Sequence, residues 1–313
     1  LWQGRSVKVE DGIQYYYQVV EILDKDEIPL ENNYNIGFLG YACDEGVRRN
    51  QGSVGAAYGP KAFRTRMSKL AFHYEDLNVV DVGDVFCESG DMESCQKTFG
   101  SIISDLIQKQ IFPIAIGGGH DIAYGHFEGV KNAIRHRSSR KIGIINFDAH
   151  FDLRPIEGQA NSGTPFKQIL DEDASVEYFV VGIQKASNTK SLFQIANKYE
   201  VGYVLNNEAI LSRIDEVKMK LYAFMERNDY LYVSIDLDGF SSAFAPGVSA
   251  PSPFGFSPMF VQEVLSYVFQ SGKVISCDIA ELNPLVDNNL ATSRLAAQLV
   301  DVIIDLSISD RKS

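Results

Sequence analysis

Three short segments of the chain carry side chains of the types that bind metal ions. Acidic or histidine residues occupy every second position of two segments, and a histidine follows a run of three glycines in the third. Alternate residues of an extended chain point to the same side, so such segments present their polar side chains together. The six residues are His120, Asp148, His150, Asp152, Asp236 and Asp238. Their types and spacing point to metal chemistry.

The chemistry of these six side chains favours two divalent cations. Carboxylate oxygens and imidazole nitrogens suit hard or borderline ions such as Mn²⁺ better than soft ones. Four aspartates clustered without counter-charge would be costly to bury, and two divalent cations would neutralise them. Paired ions of this kind also activate a bound water as a nucleophile. One motif alone is more often a cap or part of the core, but the three together predict a dinuclear hydrolytic site.

The neighbouring glycines and the other histidines give weaker evidence for a functional site. The glycines at 117–119 are not followed by the Gly-Lys-Ser/Thr of a phosphate-binding loop, which disfavours a nucleotide site. We expect them to allow a tight turn before the histidine that follows. His73, His126 and His136 have no partner pattern in the sequence, so we expect them in the core or at the surface.

Alternating strands and helices must position the candidate ligands. Short apolar runs rich in Ile and Val recur along the chain, and most are apolar on both faces, as in parallel strands covered on both sides. The eight runs span residues 35–40, 78–82, 112–117, 141–147, 178–182, 201–205, 231–236 and 273–279. Helical patterns separate them, without a linker or a repeat. We therefore predict one α/β domain over residues 1–313, with three layers (α/β/α) around a parallel sheet.

The candidate ligands stand where such a fold places its active site. Open parallel sheets bind ligands at the carboxyl ends of their strands. The runs 112–117, 141–147 and 231–236 each end next to one of the three metal-type segments. The run 273–279 contains Asp278 next to its end, and Glu281 follows two residues after the run. The sequence therefore predicts one site at one edge of the sheet, built by four strand ends.

Charge and composition exclude several other classes of protein. The 313 residues include 29 Lys and Arg against 41 Asp and Glu, and this net charge of −12 gives no electrostatic case for binding nucleic acid or an anionic membrane. No apolar run is long enough to span a bilayer, and the first residues do not resemble a signal peptide. The four cysteines are scattered without metal-site spacing. We therefore expect a reduced, cytoplasmic protein.

Four blocks of the sequence resemble the signature blocks of the ureohydrolase superfamily. They are the glycine run ending at His120, the segments 148–152 and 234–238, and the segment 278–284. Order and spacing both match. The resemblance implies an arginase-like fold with an eight-stranded parallel sheet. It also implies two Mn²⁺ ions held by the six candidate ligands, a small-molecule substrate and, as often in this superfamily, a homo-oligomer.

Four further segments are similar to one family of that superfamily, the formimidoylglutamases. These segments span residues 2–5, 46–56, 161–166 and 245–255. Enzymes of that family hydrolyse N-formimidoyl-L-glutamate to L-glutamate and formamide during histidine breakdown. The resemblance therefore implies a manganese-dependent hydrolase that acts on a linear amidine.

Two positions depart from the arginases and agmatinases. Those families have a histidine where Ser162 stands, so we expect no histidine proton shuttle there. Arginases have a neutral asparagine where Arg154 stands, and a guanidinium can bind a substrate carboxylate through two hydrogen bonds. The alternative for Arg154 is an ion pair with Glu157. Arg48 and Arg49 are further candidates for carboxylate binding, with a solvated surface loop as the alternative.

Two side chains are candidates for direct roles in the reaction. We expect Glu281 to pair with the cationic amidine, and Asp152 to pass a proton to the leaving nitrogen. Two other functions stay open: another ureohydrolase activity, on arginine, agmatine or a guanidino acid, and a non-catalytic relative of the fold. Ser162 and Arg154 disfavour the first. Non-catalytic relatives usually lose ligands, and all six are present here, which disfavours the second.

Overall fold

Nine parallel strands form the sheet at the centre of this computed structural model, which describes residues 2–8, 12–138 and 140–309. The strands are β1 (Glu21–Ile22), β2 (Ile36–Ala42), β3 (Val79–Phe86), β4 (Phe112–Ile116), β5 (Ile142–Phe147), β6 (Glu177–Ile183), β7 (Gly202–Leu205), β8 (Tyr230–Asp236) and β9 (Val274–Ala280). Their order across the sheet is β1-β3-β2-β4-β9-β8-β5-β6-β7. Every neighbouring pair is parallel.

Helices cover both faces of this sheet. In the described part of the chain they are α1 (Glu45–Arg49), α2 (Gly59–Met67), α3 (Met92–Gln108), α4 (Ile122–Ile134), α5 (Pro165–Glu172), α6 (Lys190–Lys198), α7 (Ile214–Glu226), α8 (Pro258–Phe269) and α9 (Ala291–Ser309). Ile114 and Ile116 of β4 join α8 and α9 in one apolar cluster, whereas Ala115 between them joins α3 and α4 in another. The predicted three-layer fold is confirmed. Within the described ranges, no helix has the length and apolar character needed to cross a membrane.

The predicted strand count of eight is wrong by one. The eight apolar runs correspond to β2–β9, and β1 is the additional strand. It has two residues, both exposed, which pair with Val80 and Asp81 of β3. A strand this short, outside the core, has no apolar run that could reveal it.

Close packing of two helices fixes the segment that carries the first candidate ligand. A Cβ atom on Gly100 of α3 would lie 2.6 Å from the carbonyl oxygen of Gly125 on α4. A Cβ atom on Gly129 would lie 2.5 Å from the carbonyl oxygen of Gly100. Distances this short leave no room for side chains, so the two backbones touch. Because α4 begins two residues after His120, its contact with α3 holds this histidine at the end of β4.

The N-terminal segment is fastened to the first half of the sheet. Trp2 stacks on Phe38 with ring centroids 5.7 Å apart, and its Nε1 donates to Asp81 Oδ2 at 2.6 Å. Asp81 also accepts two hydrogen bonds from Arg64, of 2.6 and 2.7 Å, and both side chains are buried. Loss of one partner would leave a buried charge uncompensated, which is costly. Trp2 is thus part of the folded structure.

Candidate metal centre

The four strands predicted to carry the site are neighbours at the centre of the sheet, in the order β4-β9-β8-β5. His120 follows β4, Glu281 follows β9, Asp236 ends β8 and Asp148 follows β5. Because these strands are parallel, their carboxyl ends lie at one edge of the sheet. Residues 161 positions apart in sequence, such as His120 and Glu281, are therefore in contact.

The first ligand group consists of His120, Asp148, Asp152 and Asp236. His120 faces the three carboxylates with its Nδ1 atom. The distances from this atom to the nearest carboxylate oxygen are 3.1 Å for Asp148, 3.0 Å for Asp152 and 3.0 Å for Asp236. Nδ1 is buried and has no hydrogen-bond partner among the described residues, because none of these contacts has hydrogen-bond geometry. A nitrogen and three oxygens that face one point in this way could hold a cation.

The second ligand group consists of Asp148, His150 and Asp238. His150 Nδ1 lies 3.4 Å from Asp148 Oδ1 and 3.2 Å from Asp238 Oδ2. The other oxygen of Asp238, Oδ1, is buried without a hydrogen-bond partner in the described structure. Asp148 turns Oδ2 toward the first group and Oδ1 toward the second, so its carboxylate could bridge two cations. The two groups together contain all six residues singled out in the sequence.

The cluster is short of positive charge. Burial raises the pKa of Asp152 to about 6, and burial together with the charge of Asp148 raises the pKa of Asp236. Burial alone would lower the pKa of His120, but the carboxylates around it, Asp236 first, raise that pKa well above its usual value. The cluster therefore attracts protons when no other cation neutralises it. Its oxygen and nitrogen donors and its unpartnered buried atoms fit hard or borderline divalent ions such as Mn²⁺.

Two residues of the site have a backbone conformation that the sequence does not reveal. Asp152 has a φ of 49° and Glu281 a φ of 66°, in the left-handed region that residues other than glycine seldom adopt. Such conformations cost about 1–3 kcal/mol each and persist where the surrounding structure imposes them. The N–H of Glu281 donates to Gly118 O at 2.8 Å, and its Oε1 accepts from the N–H of His120 at 3.0 Å. The backbone thus turns both carboxylates toward the site.

A cavity of about 230 Å³ opens onto both ligand groups. Glu281 lies in its lining, and the second carboxylate oxygen of this residue, Oε2, is buried without a partner in the described structure. Burial raises the pKa of this carboxyl well above its usual range, and the charges of Asp236 and Asp238 add to the effect. Much of the remaining lining is neutral and polar: Asn50, Ser162, Ser187, Asn188 and Ser249. The cavity suits a small polar molecule with a cationic group near Glu281.

Arg154, a predicted substrate contact, lines the same cavity. Its Nη1 donates to Asn50 Oδ1 at 2.8 Å, and Asn50 Nδ2 donates in turn to Ser162 Oγ at 3.1 Å. The described residues contain no ion pair between Arg154 and Glu157, the alternative partner, whose backbone forms a bridge to Gln159. Asn50 was not predicted as a site residue. The only signal for it was its place in the segment 46–56, whose similarity to formimidoylglutamases was noted as a whole.

Arg48 and Arg49 are not among the described residues that line the cavity. Arg48 Nε lies 2.6 Å from Glu45 Oε2, and Arg49 Nε lies 2.9 Å from Glu45 Oε1. Arg49 also pairs with Glu93 at 2.6 Å, and its side chain is buried. All three residues of the first two contacts belong to α1, where spacings of three and four residues bring opposite charges together. This helical spacing accounts for both arginines without a substrate.

Residues 34–304 match the model of the arginase family. The chain belongs to the arginase family. It is 43% identical to a formimidoylglutamase of Geobacillus sp. (strain WCH70) over 298 residues, which cover 95% of this chain and 91% of that protein. It is 40% identical to a formimidoylglutamase of Lysinibacillus sphaericus (strain C3-41) over 302 residues, which cover 96% and 93%.

Solved structures of other arginase-family members have the same fold. A Trypanosoma cruzi formiminoglutamase with Mn²⁺ superimposes with a TM-score of 0.78 at 26% identity, over 88% of this chain and 93% of that one. An agmatine ureohydrolase of Thermoplasma volcanium superimposes with a TM-score of 0.74 at 26% identity, over 91% and 93%. The arginase-like fold expected from the resemblance is confirmed.

A buried hydrogen bond determines which nitrogen of His120 is protonated in this arginase-family chain. His120 Nε2 lies 2.9 Å from Ser234 Oγ, and Ser234 Oγ lies 2.7 Å from Asp278 Oδ1. A carboxylate only accepts, so Ser234 donates to Asp278 and accepts from His120. The proton of His120 is thereby assigned to Nε2. Nδ1 is therefore the nitrogen that would bind a metal ion once the ion replaces the protons that the cluster attracts.

Proposed function

We propose that the chain hydrolyses the amidine C–N bond of N-formimidoyl-L-glutamate to give L-glutamate and formamide. The observation that carries this proposal is the polarity of one cavity. Ligand residues and the unpartnered oxygen of Glu281 form a largely buried part of its lining, and Arg154 is an exposed cationic residue of that lining. The substrate has the matching polarity, with a cationic amidine at one end and carboxylates at the other.

We propose that two Mn²⁺ ions are the cofactor, each held by one ligand group. His120, Asp152 and Asp236 would hold one ion, His150 and Asp238 the other, and Asp148 both. Bound ions of this kind supply positive charge and make a coordinated water acidic enough to react near neutral pH. The Mn²⁺ in the T. cruzi structure and the oxygen and nitrogen donor set here support this choice of metal.

The remaining residues bind and orient the substrate. Glu281 pairs through Oε2 with the amidine nitrogen, which relieves an unpartnered buried oxygen. Arg154 holds a carboxylate at the outer end, positioned by Asn50. Ser162 keeps its hydroxyl proton for the substrate, since its Oγ accepts from Asn50. Asp152 passes a proton to the leaving nitrogen, because its strained backbone turns the carboxylate into the cavity.

An assay of product release tests this function. The protein, loaded with Mn²⁺, is given formimidoylglutamate, arginine, agmatine and guanidinobutyrate, and formamide and urea are measured. We expect formamide from the first compound and little urea from the others. Arg154 would repel the second cation of agmatine, and arginine, with an ammonium beside its carboxylate, fits only partly. Faster release of urea from arginine or agmatine would refute the proposal.

The second candidate function is another ureohydrolase activity. The likeness to the agmatine ureohydrolase of T. volcanium favours it, at 26% identity. A non-catalytic relative is less well supported, because all six predicted ligands come together in two groups. The same assay distinguishes the three functions. Formamide indicates the proposed activity, urea indicates another ureohydrolase activity, and the absence of both products indicates a non-catalytic relative.

We also propose a location and partners for the protein. All four cysteines are free thiols, which supports a reducing, cytoplasmic location. The net charge of −12 disfavours nucleic acid as a partner. The resemblance to the superfamily is what supports a homo-oligomer, and exposed apolar side chains such as Phe254, at 85%, are available to an interface. Light scattering after size-exclusion chromatography would give the number of subunits, and a monomer would contradict this part of the proposal.

A further inference from the structure

His126 is a fully buried histidine outside both ligand groups, six residues after His120. We propose that it is a positioning residue for the first ligand group. It fixes the carboxylate of Asp278, which through Ser234 keeps His120 in the tautomer that binds metal. The inference rests on the proposed metal centre and adds to it a residue for which the sequence offered no partner.

Both ring nitrogens of His126 have buried polar partners. Nδ1 lies 2.7 Å from Asp278 Oδ2, and Nε2 is hydrogen-bonded to Ser276 Oγ. Tyr232 also donates its hydroxyl to Asp278 Oδ2. Because a carboxylate only accepts, His126 donates from Nδ1. Asp278 therefore accepts from three side chains, those of His126, Tyr232 and Ser234, at a position with no exposure to solvent.

The register of two central strands assembles these groups. Tyr232 of β8 is paired with Ser276 of β9, and Ser234 is paired with Asp278 two residues further along. Alternate residues of a strand share a face, so the four side chains form one polar patch inside the α3/α4 layer. The ring of His126 covers this patch from α4, with its centroid 4.4 Å from that of Tyr232. A histidine at this place is therefore part of a network that reaches the ligand group.

The network determines which ring nitrogen of His120 carries the proton. Ser234 donates to Asp278 and therefore accepts from His120 Nε2. Without the donor of His126, Asp278 Oδ2 would accept from Tyr232 alone, and the carboxylate would be held less firmly against Ser234. A Ser234 hydroxyl released from Asp278 would turn and donate to His120 Nε2 instead. The proton of His120 would move to Nδ1, the atom that faces the metal.

The effect should be confined to one of the two ions. His120 belongs to the first ligand group, whereas the second group has its own histidine, His150. The hydrogen bonds of His126 lead through Asp278 and Ser234 to His120. A general loss of folding stability would weaken both ions alike. Selective weakening of one ion is thus the signature of a positioning role.

The experiment compares three variants. His126→Phe keeps a ring and removes both nitrogens, and His126→Asn places an amide donor near the position of Nδ1. Phe127→Leu is the matched control, since Phe127 is the next residue on α4, equally buried and apolar. Metal-free protein is titrated with Mn²⁺ by calorimetry and electron paramagnetic resonance. The ion of the first group is identified in an Asp238→Asn background, which lacks the second group.

We expect His126→Phe to weaken the first ion by about 10- to 100-fold, the usual cost of losing a supporting partner of a metal-binding histidine. His126→Asn should recover most of this loss, and Phe127→Leu should lower the melting temperature without changing either dissociation constant. Equal weakening of both ions by His126→Phe, or none, would overturn the inference. If His126→Phe does not fold, His126→Asn and His126→Gln, whose amide mimics Nε2, replace it. Unchanged affinity in His126→Asn together with weakened affinity for the first ion in His126→Gln would support the inference. The reverse result would overturn the inference. Failure of the unmodified protein to bind Mn²⁺ would instead overturn the metal centre itself, and the inference with it.

Discussion

The two ligand groups share Asp148 but differ in their surroundings. The side chain of His120 is 1% exposed, and its Nε2 is hydrogen-bonded to Ser234, which donates in turn to Asp278. The side chain of His150 is 25% exposed and lines the cavity. The histidine of the first group is thus supported by the centre of the sheet, whereas the histidine of the second group lies on the loop that follows β5. We therefore expect a firmly held ion in the first group and a more readily exchanged ion in the second.

The largest effect should come from the carboxylate common to both groups. Asp148→Asn should abolish binding of both ions and reduce turnover by far more than the roughly 100-fold loss typical of a supporting residue. Asp238→Asn should remove the second ion only. Metal content after Mn²⁺ loading, measured by mass spectrometry, checks both expectations. One tightly held ion in Asp148→Asn would show that the two groups are not coupled through this residue.

Removal of the metal should lower stability by a smaller but clear amount. A ligand at 100 times its dissociation constant stabilises a protein by about 2.7 kcal/mol. At roughly 2–4 °C per kcal/mol, chelation should lower the melting temperature by about 5–10 °C, and Mn²⁺ should restore it. Asp148→Asn serves as the control, because it should not respond to Mn²⁺. Coincident melting curves before and after verified metal removal would contradict a buried cluster that needs cations.

Arg154 tests whether the more open half of the site selects the substrate. It lies two residues beyond Asp152 on the loop after β5, which also carries the more exposed histidine, His150. Arg154→Leu should raise KM for formimidoylglutamate by roughly ten- to a hundredfold, since a hydrogen bond to a charged group contributes about 1.5–3 kcal/mol. Metal content should not change. Steady-state kinetics measure the effect, and an unaltered KM would remove this arginine from the substrate contacts.

The smallest effects are expected where the side chain only borders the cavity or lies outside it. Ser162→Ala should lower kcat by less than about 100-fold, because a general acid or base usually contributes at least that much. Arg48→Ala should leave KM unchanged, because this exposed arginine is paired with Glu45. A loss of several thousandfold in kcat for Ser162→Ala would identify the hydroxyl as catalytic. A raised KM for Arg48→Ala would indicate that this arginine does contact the substrate.

The sequence was sufficient for the residues whose positions follow from strand periodicity. Asp148, His150 and Asp236 were predicted because alternate residues at strand ends point one way, and the parallel sheet then brings those ends together. The two-residue strand β1 was missed, because it is defined by pairing and not by burial. The backbone conformations of Asp152 and Glu281 were also out of reach, since tertiary contacts impose them.

His126 shows what kind of knowledge the sequence lacked. The signal was present: Tyr232 and Ser234, like Ser276 and Asp278, place polar groups at alternate positions of strands that are otherwise apolar. Their meaning depends on which strands are neighbours and in which register, and on how α4 lies over them. Arg48 and Arg49 illustrate the opposite error. Their spacing from Glu45 favours local ion pairs within one helical turn, which the sequence alone could have suggested.

The strand order has a consequence for how the protein is made. Strands β1 to β4 form one side of the sheet and β5 to β8 the other, and β9 lies between them. During synthesis the two halves emerge in turn, each carrying part of the ligand set. They are joined through β9, so the sheet is complete only once both halves and β9 have left the ribosome. Contacts between residues so distant in sequence form slowly and leave strand edges exposed meanwhile. The first ligand group takes His120 from one half and its aspartates from the other, so we expect it to be completed after the second group, whose three residues all follow strands β5 and β8.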